Sequence, residues 1–272
     1  MIFGIFVVYS EDYLTQSLLE FNRILKLTAR KYRLIVVFNN HNLASKLNAF
    51  EISHVDFEFV LGSNQLHEFS GWSEGLDFIK EKYINSYKES EYIFCNDTFC
   101  QHRTYTFFHR LIFSACCSLS FLSNRPKMAG EVNSFGKDFE FNHLKFNTWV
   151  SSYFFAVNKH AMNLLSFDIL PSNQEVSEYL LGGYDEKYFF SDAMDLTLKK
   201  HLLHWLFHGG WYKSQSLSQS NAESLYCKAR SIIAEFSLSS KANAKRIDFL
   251  DTYFFIKKIN KLRFKIRLRI IN

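Results

Sequence analysis

Four short apolar runs, each stopped by a cluster of small polar residues, constrain the fold of this chain more than any other feature. Residues 2–9 run into Ser10-Glu11-Asp12, and Tyr32–Phe38 into Asn39-Asn40-His41-Asn42. Val55–Leu61 runs into Gly62-Ser63-Asn64, and Tyr92–Cys95 into Asn96-Asp97-Thr98. Between them, Leu14, Leu18, Phe21, Ile24 and Leu25 repeat at helical spacing, and Ser73 to Tyr87 reads as a further helix. Strand alternating with helix predicts an α/β fold, a mostly parallel central sheet with helices on both faces. Such sheets bind ligands beyond the carboxyl ends of their strands. The polar clusters all fall at that edge, which gathers Ser10, Asn39, Asn40, Ser63, Asn64 and Asp97 into one crevice. Asn, Asp, Ser and Gly also dominate ordinary turns, so the recurrence at one edge carries more weight than any single cluster.

The remaining sequence bounds the classes open to the chain. Its 272 residues suffice for one large domain, or a domain with a tail. The 30 Phe and 14 Tyr provide an unusually aromatic core, and two Pro, Pro126 and Pro171, leave no proline-rich linker. Residues 2–9 lack a basic lead-in and meet Glu11 and Asp12 at once, so a buried strand is expected rather than a signal peptide. No apolar run approaches the ~20 residues of a membrane span. The five Cys show no paired metal spacing and read as reduced thiols of a cytoplasmic protein. The net charge of +5 is modest, but seven basic and no acidic residues lie between Lys257 and Arg269.

The second half is less regular. Trp149–Val157 predicts an aromatic strand, and Asp192–His208 a long helix stopped by Gly209-Gly210. Residues 214–245, rich in Ser, Ala and Lys, predict helix with loops. The expected division is a domain over 1–212 and a helical, basic extension over 213–272 packed on it.

Asp97 leads the candidates for chemistry. An acid just past a buried strand can hold a divalent cation or a ribose hydroxyl, and a departing diphosphate needs its charge neutralised. The flanking Asn96 and Thr98 are neutral oxygen ligands. The segment Gly62–Gly75 reads as a glycine-bearing loop followed by a helix, whose first amides can approach phosphates or a sugar ring. It lacks the lysine of a Walker loop and the glycine pattern of a dinucleotide site. His201, His204 and His208 share a helix face at i, i+3 and i+7, and either line a half-buried polar stripe or offer a metal ligand. The tail from Lys261 to Ile270 alternates basic and apolar residues. As strand or as helix it presents a basic surface beside apolar side chains, suited to an anionic membrane or to guarding a sheet edge.

These pieces occur in an order that resembles the GT-A class of nucleotide-sugar glycosyltransferases, with its Rossmann-type sheet. More narrowly, the chain resembles the rhamnan-synthesis type of bacterial transferase used in cell-wall and O-antigen polysaccharide assembly. The carrying stretches are Tyr92-Ile-Phe-Cys-Asn-Asp-Thr-Phe99, Ala129-Gly-Glu131, Trp149-Val-Ser-Ser-Tyr-Phe-Phe155 and Asp195-Leu-Thr-Leu198, within residues 2–212.

The resemblance implies a donor site in which Val8, Tyr9 and Ser10 edge the nucleotide base, with Asn39 or Asn40 hydrogen-bonding it. Asn64 and Gly71 would line the donor pocket. Asp97 would face metal and diphosphate, with Asn96 near the ribose, and Ser151 and Ser152 would lie close to the acceptor. A divalent cation, Mn²⁺ or Mg²⁺, would sit at Asp97, with His208 as a further candidate ligand. The chain departs from a full Asp-x-Asp motif, which leaves metal dependence open. An inverting enzyme needs a base for the acceptor hydroxyl. Asp195 and Glu131 are the candidates, with Asp192, Asp185 and Glu186 behind them.

The expected partners are a UDP-, dTDP- or GDP-linked sugar, a lipid-linked glycan (O-antigen, capsule or cell wall) and an anionic membrane surface, with no nucleic acid. The expected location is cytoplasmic, peripheral on the inner face of the bacterial inner membrane. Two rivals stand beside the enzyme: a non-catalytic, glycosyltransferase-like binding module in a polysaccharide assembly complex, and a nucleotidyltransferase. The last would want a basic phosphate loop near its N-terminus, and residues 10–22 carry no Lys or Arg.

Overall fold

The computed structural model describes residues 1–45, 55–101, 105–209, 213–256 and 258. The first strand, β1 (Ile2–Val8), is buried along its whole length, with Phe6 and Val8 against one helical layer and Phe3, Ile5 and Val7 against the other. A strand covered on both faces needs apolar residues at every position, which is why it reads as a continuous run. Helix α1 (Glu11–Thr28) follows, then β2 (Tyr32–Phe38), the short α2 (His41–Ser45) and β3 (Glu58–Leu61). Helix α3 (Glu68–Lys82) leads into β4 (Glu91–Asn96).

Helix α3 starts five residues before the sequence suggests and ends five residues earlier. Phe69, Trp72, Leu76 and Ile79 are buried at i, i+3, i+7 and i+10, a stripe that begins inside the segment read as a loop. Strand β3 is likewise shorter than the run from Val55.

The second half opens with α4 (Phe107–Phe121) and a long hairpin, β5 (Lys127–Phe141) and β6 (Leu144–Val157). The aromatic strand at Trp149–Val157 is the latter part of β6. Helices α5 (Lys159–Leu164), α6 (Asn173–Tyr179), α7 (Leu196–Phe207) and α8 (Ala222–Ala244) follow, with β7 (Asp248–Asp251) last. Helix α7 is shorter than the span from Asp192 to His208, because Asp195 caps it: its Oδ1 accepts from the Thr197 and Leu198 amides at 2.8 and 3.1 Å.

Among the described residues the strands form one sheet of seven, ordered β3-β2-β1-β4-β6-β5-β7. All neighbours are parallel except those of β6, which runs against both β4 and β5. The sheet is thus mixed but mostly parallel. Helices α1 and α4 cover one face, and α3, α5 and α8 the other. Phe139, Phe141 and Phe146 of the hairpin build a third cluster with α6, α7 and α8. Ala234, Leu238 and Ala242 of α8 pack into the sheet's core, and β7 pairs with β5. Residues 222–251 are therefore built into the sheet rather than added outside it. The basic tail from Lys261 to Ile270 lies outside the described residues.

Candidate functional site

A crevice of about 650 Å³ opens at the carboxyl ends of β1, β2 and β4. Asp97 sits at its floor, one residue past β4 and 5% exposed. Its amide donates to the Val7 carbonyl at 3.0 Å, which extends the strand pairing by one step. Its Oδ2 accepts the Tyr9 and Ser10 amides at 2.8 and 2.7 Å. These amides lie where β1 hands over to α1, a point at which backbone donors have no partner within the helix. Ser17 of α1 donates its hydroxyl to the Asp97 carbonyl at 2.6 Å. Burial pushes the Asp97 carboxyl up to about 6 in spite of the two amides, and the charge of Glu68 adds to the rise.

Asn39 stands just past β2, 7% exposed. Its Nδ2 donates to the His67 carbonyl at 2.7 Å and to Asn64 Oδ1 at 3.3 Å. It thereby ties the segment between β3 and α3 to the strand edge. Its Oδ1 is buried with no hydrogen-bond partner among the described residues. Asn40 Nδ2 donates to the Tyr9 carbonyl at 3.3 Å. Asn96 Oδ1 accepts the Thr98 amide and hydroxyl at 3.1 and 2.8 Å, so this side chain shapes the turn that presents Asp97.

Tyr9, Ser10, Asn39, Asn64, Asn96 and Asp97 thus come together in the crevice as expected. Two neighbours do not. The Val8 side chain is fully buried on the α1 face of the sheet, and it is Val7 that borders the crevice. Gly71 lies inside α3, not in a loop. A Cβ there would meet Val7 Cγ2 at 2.8 Å and Asn39 Oδ1 at 3.1 Å, so glycine is required for α3 to approach β1.

The predicted catalytic residues, and His208 as the second metal candidate, lie elsewhere. Asp195 caps α7 and borders a separate hollow with Glu140, His143 and Glu178. Glu131 is 3% exposed on β5, at the irregularity between Gly130 and Val132, and does not line the crevice. His208 pairs with Glu186 at 2.9 Å, beyond α7. Ser151 accepts from Asn133 Nδ2 at 2.7 Å and faces a second cavity. Among the described residues no three His, Cys, Asp or Glu side chains gather as metal ligands. With one Asp97 oxygen occupied by two amides and its chain neighbours Asn96 and Thr98 neutral, the described residues do not assemble a donor set for a resident divalent cation.

Sequence reasoning missed the crevice's other charged residues. His67, at a φ of 49° ahead of α3, and Glu68, the first residue of that helix, line it with Lys213 and with Lys228 of α8. Burial holds the His67 imidazole below its ordinary range, against the pull of Glu68 and with Lys228 and Arg230 reinforcing the drop. Ser152, expected close to the acceptor, bonds to this group: its hydroxyl donates to Glu68 Oε1 at 2.8 Å, and its amide to Glu235 Oε1 at 2.5 Å. No local pattern marks Lys228, because α8 reaches the crevice from more than a hundred positions further along the chain.

No family model matches the chain, and no curated protein matches it either. Among solved structures it is similar to HddC from Yersinia pseudotuberculosis, at 9% identity and a TM-score of 0.32, over 61% of this chain and 79% of that one. A likeness of that size carries neither fold nor activity across, so the reading of the chain rests on the crevice itself: a buried acid, two lysines and a row of amides at the carboxyl edge of a mostly parallel sheet.

Proposed function

We propose that the chain is a glycosyltransferase of GT-A type, moving a sugar from a nucleoside-diphosphate donor bound in this crevice. The observation that carries the reading is Asp97, a carboxylate fixed by the Tyr9 and Ser10 amides in the same crevice as Lys213 and Lys228. When ionised, Asp97 accepts from a ribose hydroxyl. The lysines neutralise the diphosphate, whose charge grows as the glycosidic bond breaks. Tyr9, 57% exposed, offers its ring to the base. In transfer, the acceptor oxygen bonds to the anomeric carbon and the bond to the diphosphate oxygen breaks. The diphosphate leaves with the electron pair, and the hydroxyl proton passes to a carboxylate. Glu68 borders the crevice and takes that role in place of Asp195 and Glu131.

The finer reading, a lipid-linked glycan acceptor at an anionic membrane, has support from α4. Phe108, Leu111, Ala115 and Leu119 form an exposed apolar stripe, continued by Leu122 just past the helix. Among the described residues no helix is long and apolar enough to cross a membrane. Contact in the plane of the surface would combine this stripe with the basic tail. Co-sedimentation with phosphatidylglycerol vesicles, reduced in Leu111→Glu, is the expected result. Equal sedimentation of the two proteins rejects it.

Calorimetry with UDP, GDP and dTDP, with and without Mn²⁺, tests the donor site. Binding of one nucleotide, lost in Asp97→Ala, supports the enzyme. Failure of all three leaves the non-catalytic module as the better account.

A further inference from the structure

A second cavity, of about 230 Å³, lies between the hairpin of β5 and β6 and helices α7 and α8. Trp149, Trp205 and Phe236 line it with the polar groups of Asn133, Ser151 and Glu235. The rings of Trp149 and Phe236 are 5.2 Å apart between centroids, which holds the indole in place. The bond from Asn133 Nδ2 to Ser151 Oγ fixes the Asn133 amide. The bond from the Ser152 amide fixes the Glu235 carboxyl.

Such a lining matches one ligand chemistry well. A pyranose ring has an apolar face of C–H groups that packs on a flat aromatic surface, and hydroxyls that each need a donor and an acceptor. The cavity is far smaller than the crevice, with room for a single ring and not for a nucleotide. It also adjoins the crevice. Lys228 lines both, with its Nζ 5.8 Å from the centroid of the Trp205 ring. Ser152 links Glu68 of the crevice to Glu235 of the cavity.

We infer that this cavity binds one saccharide unit of the acceptor, stacked on Trp205 and Trp149 and hydrogen-bonded by Asn133 and Glu235. Its role as the acceptor subsite rests on the glycosyltransferase reading; its saccharide chemistry rests on the lining alone. Burial pushes the Glu235 carboxyl above its ordinary range, with Lys228 and the Ser152 bonds pulling the other way. A carboxyl so placed serves as donor or acceptor to a sugar hydroxyl.

Saturation-transfer NMR on the full chain, with the methyl glycosides of glucose, galactose, mannose and rhamnose, tests this directly. At least one glycoside is expected to receive saturation at its ring protons. Trp205→Ala should weaken that binding about tenfold, the loss of one stacked ring. Asn133→Ala serves as a second variant should α7 shift in the first, and circular dichroism checks both. Absence of signal from every glycoside, or undiminished signal in both folded variants, overturns the inference. Nucleotide calorimetry on the same wild-type sample separates the two readings. Glycoside binding without nucleotide binding keeps the cavity and removes the donor site. Nucleotide binding without glycoside binding does the reverse.

Discussion

Two hollows open at opposite ends of the parallel strands: about 650 Å³ at the carboxyl ends and about 520 Å³ at the amino ends, among Arg30, Lys31, Arg33, Asp56 and Glu58. Size hardly separates them, but the condition of their acids does. At the amino ends, burial raises Glu58, yet Lys82 and Tyr83 bond to it and more than offset that, so its carboxyl falls below the ordinary range. At the carboxyl ends, burial outweighs the Ser10 and Tyr9 amides that lower Asp97, and with the charge of Glu68 it raises the carboxyl to about 6. A satisfied surface acid is what a solvated hollow provides. An acid kept near neutrality on backbone amides is set for a ligand.

The largest effect should come from Asp97. Asp97→Ala is expected to reduce nucleotide affinity at least about a hundredfold, nearly 3 kcal/mol by calorimetry, as a buried bonded carboxylate is lost. Asp97→Asn keeps an acceptor for both amides while removing the buried charge. Because the folded carboxyl titrates near 6 rather than 3.8, ionising it weakens the fold. That penalty is absent below about pH 4, grows through pH 6 and is complete above it. Asp97→Asn should therefore gain roughly 3 kcal/mol over the wild type between pH 4 and pH 7.5. Urea denaturation at the two pH values reads this, and parallel curves would refute the raised carboxyl.

Gly71→Ala ranks next, at about 1–3 kcal/mol of destabilisation for the overpacking between α3 and β1. Its displacement of Asn39 should also weaken nucleotide binding. Ser152→Ala should cost about 1 kcal/mol for the bond to Glu68. It should lower turnover more than donor affinity, which measures how closely the two cavities are coupled. Glu58→Gln is the control at the other hollow. Its paired partner Lys82 is 53% exposed, so less than about 1 kcal/mol should be lost, with nucleotide affinity unchanged. A drop in affinity there would break the contrast between the two ends.

The strand-end crevice was legible because each strand declares its end with polar residues, and a parallel sheet brings those ends together. The direction of single side chains was not. With both faces of β1 buried, nothing in the run distinguishes Val8 from Val7. Gly71 read as a loop residue because glycine marks turns more often than the close crossing of a helix over a strand. Asp195, read as a catalytic acid, is the cap of α7, a role its place before Leu196-Thr197 fits equally well. Lys228 and Glu235 carry no local signal, since their roles arise only when α8 folds back over the sheet.

Strand β6 runs against its neighbours, with Phe154 beside Cys95 and Val157 beside Tyr92. Its earlier residues, Trp149 to Ser152, therefore emerge at the edge where the parallel strands end. One reversal lets a stretch near the middle of the chain face a pocket built mostly from the first hundred residues. Apart from Lys213 in the crevice and Lys228, which lines both, the two cavities are consequently written in different blocks of sequence. On the glycosyltransferase reading, exchanging the hairpin around Trp149 for that of another chain would alter the acceptor cavity while leaving the strand ends of the donor crevice in place.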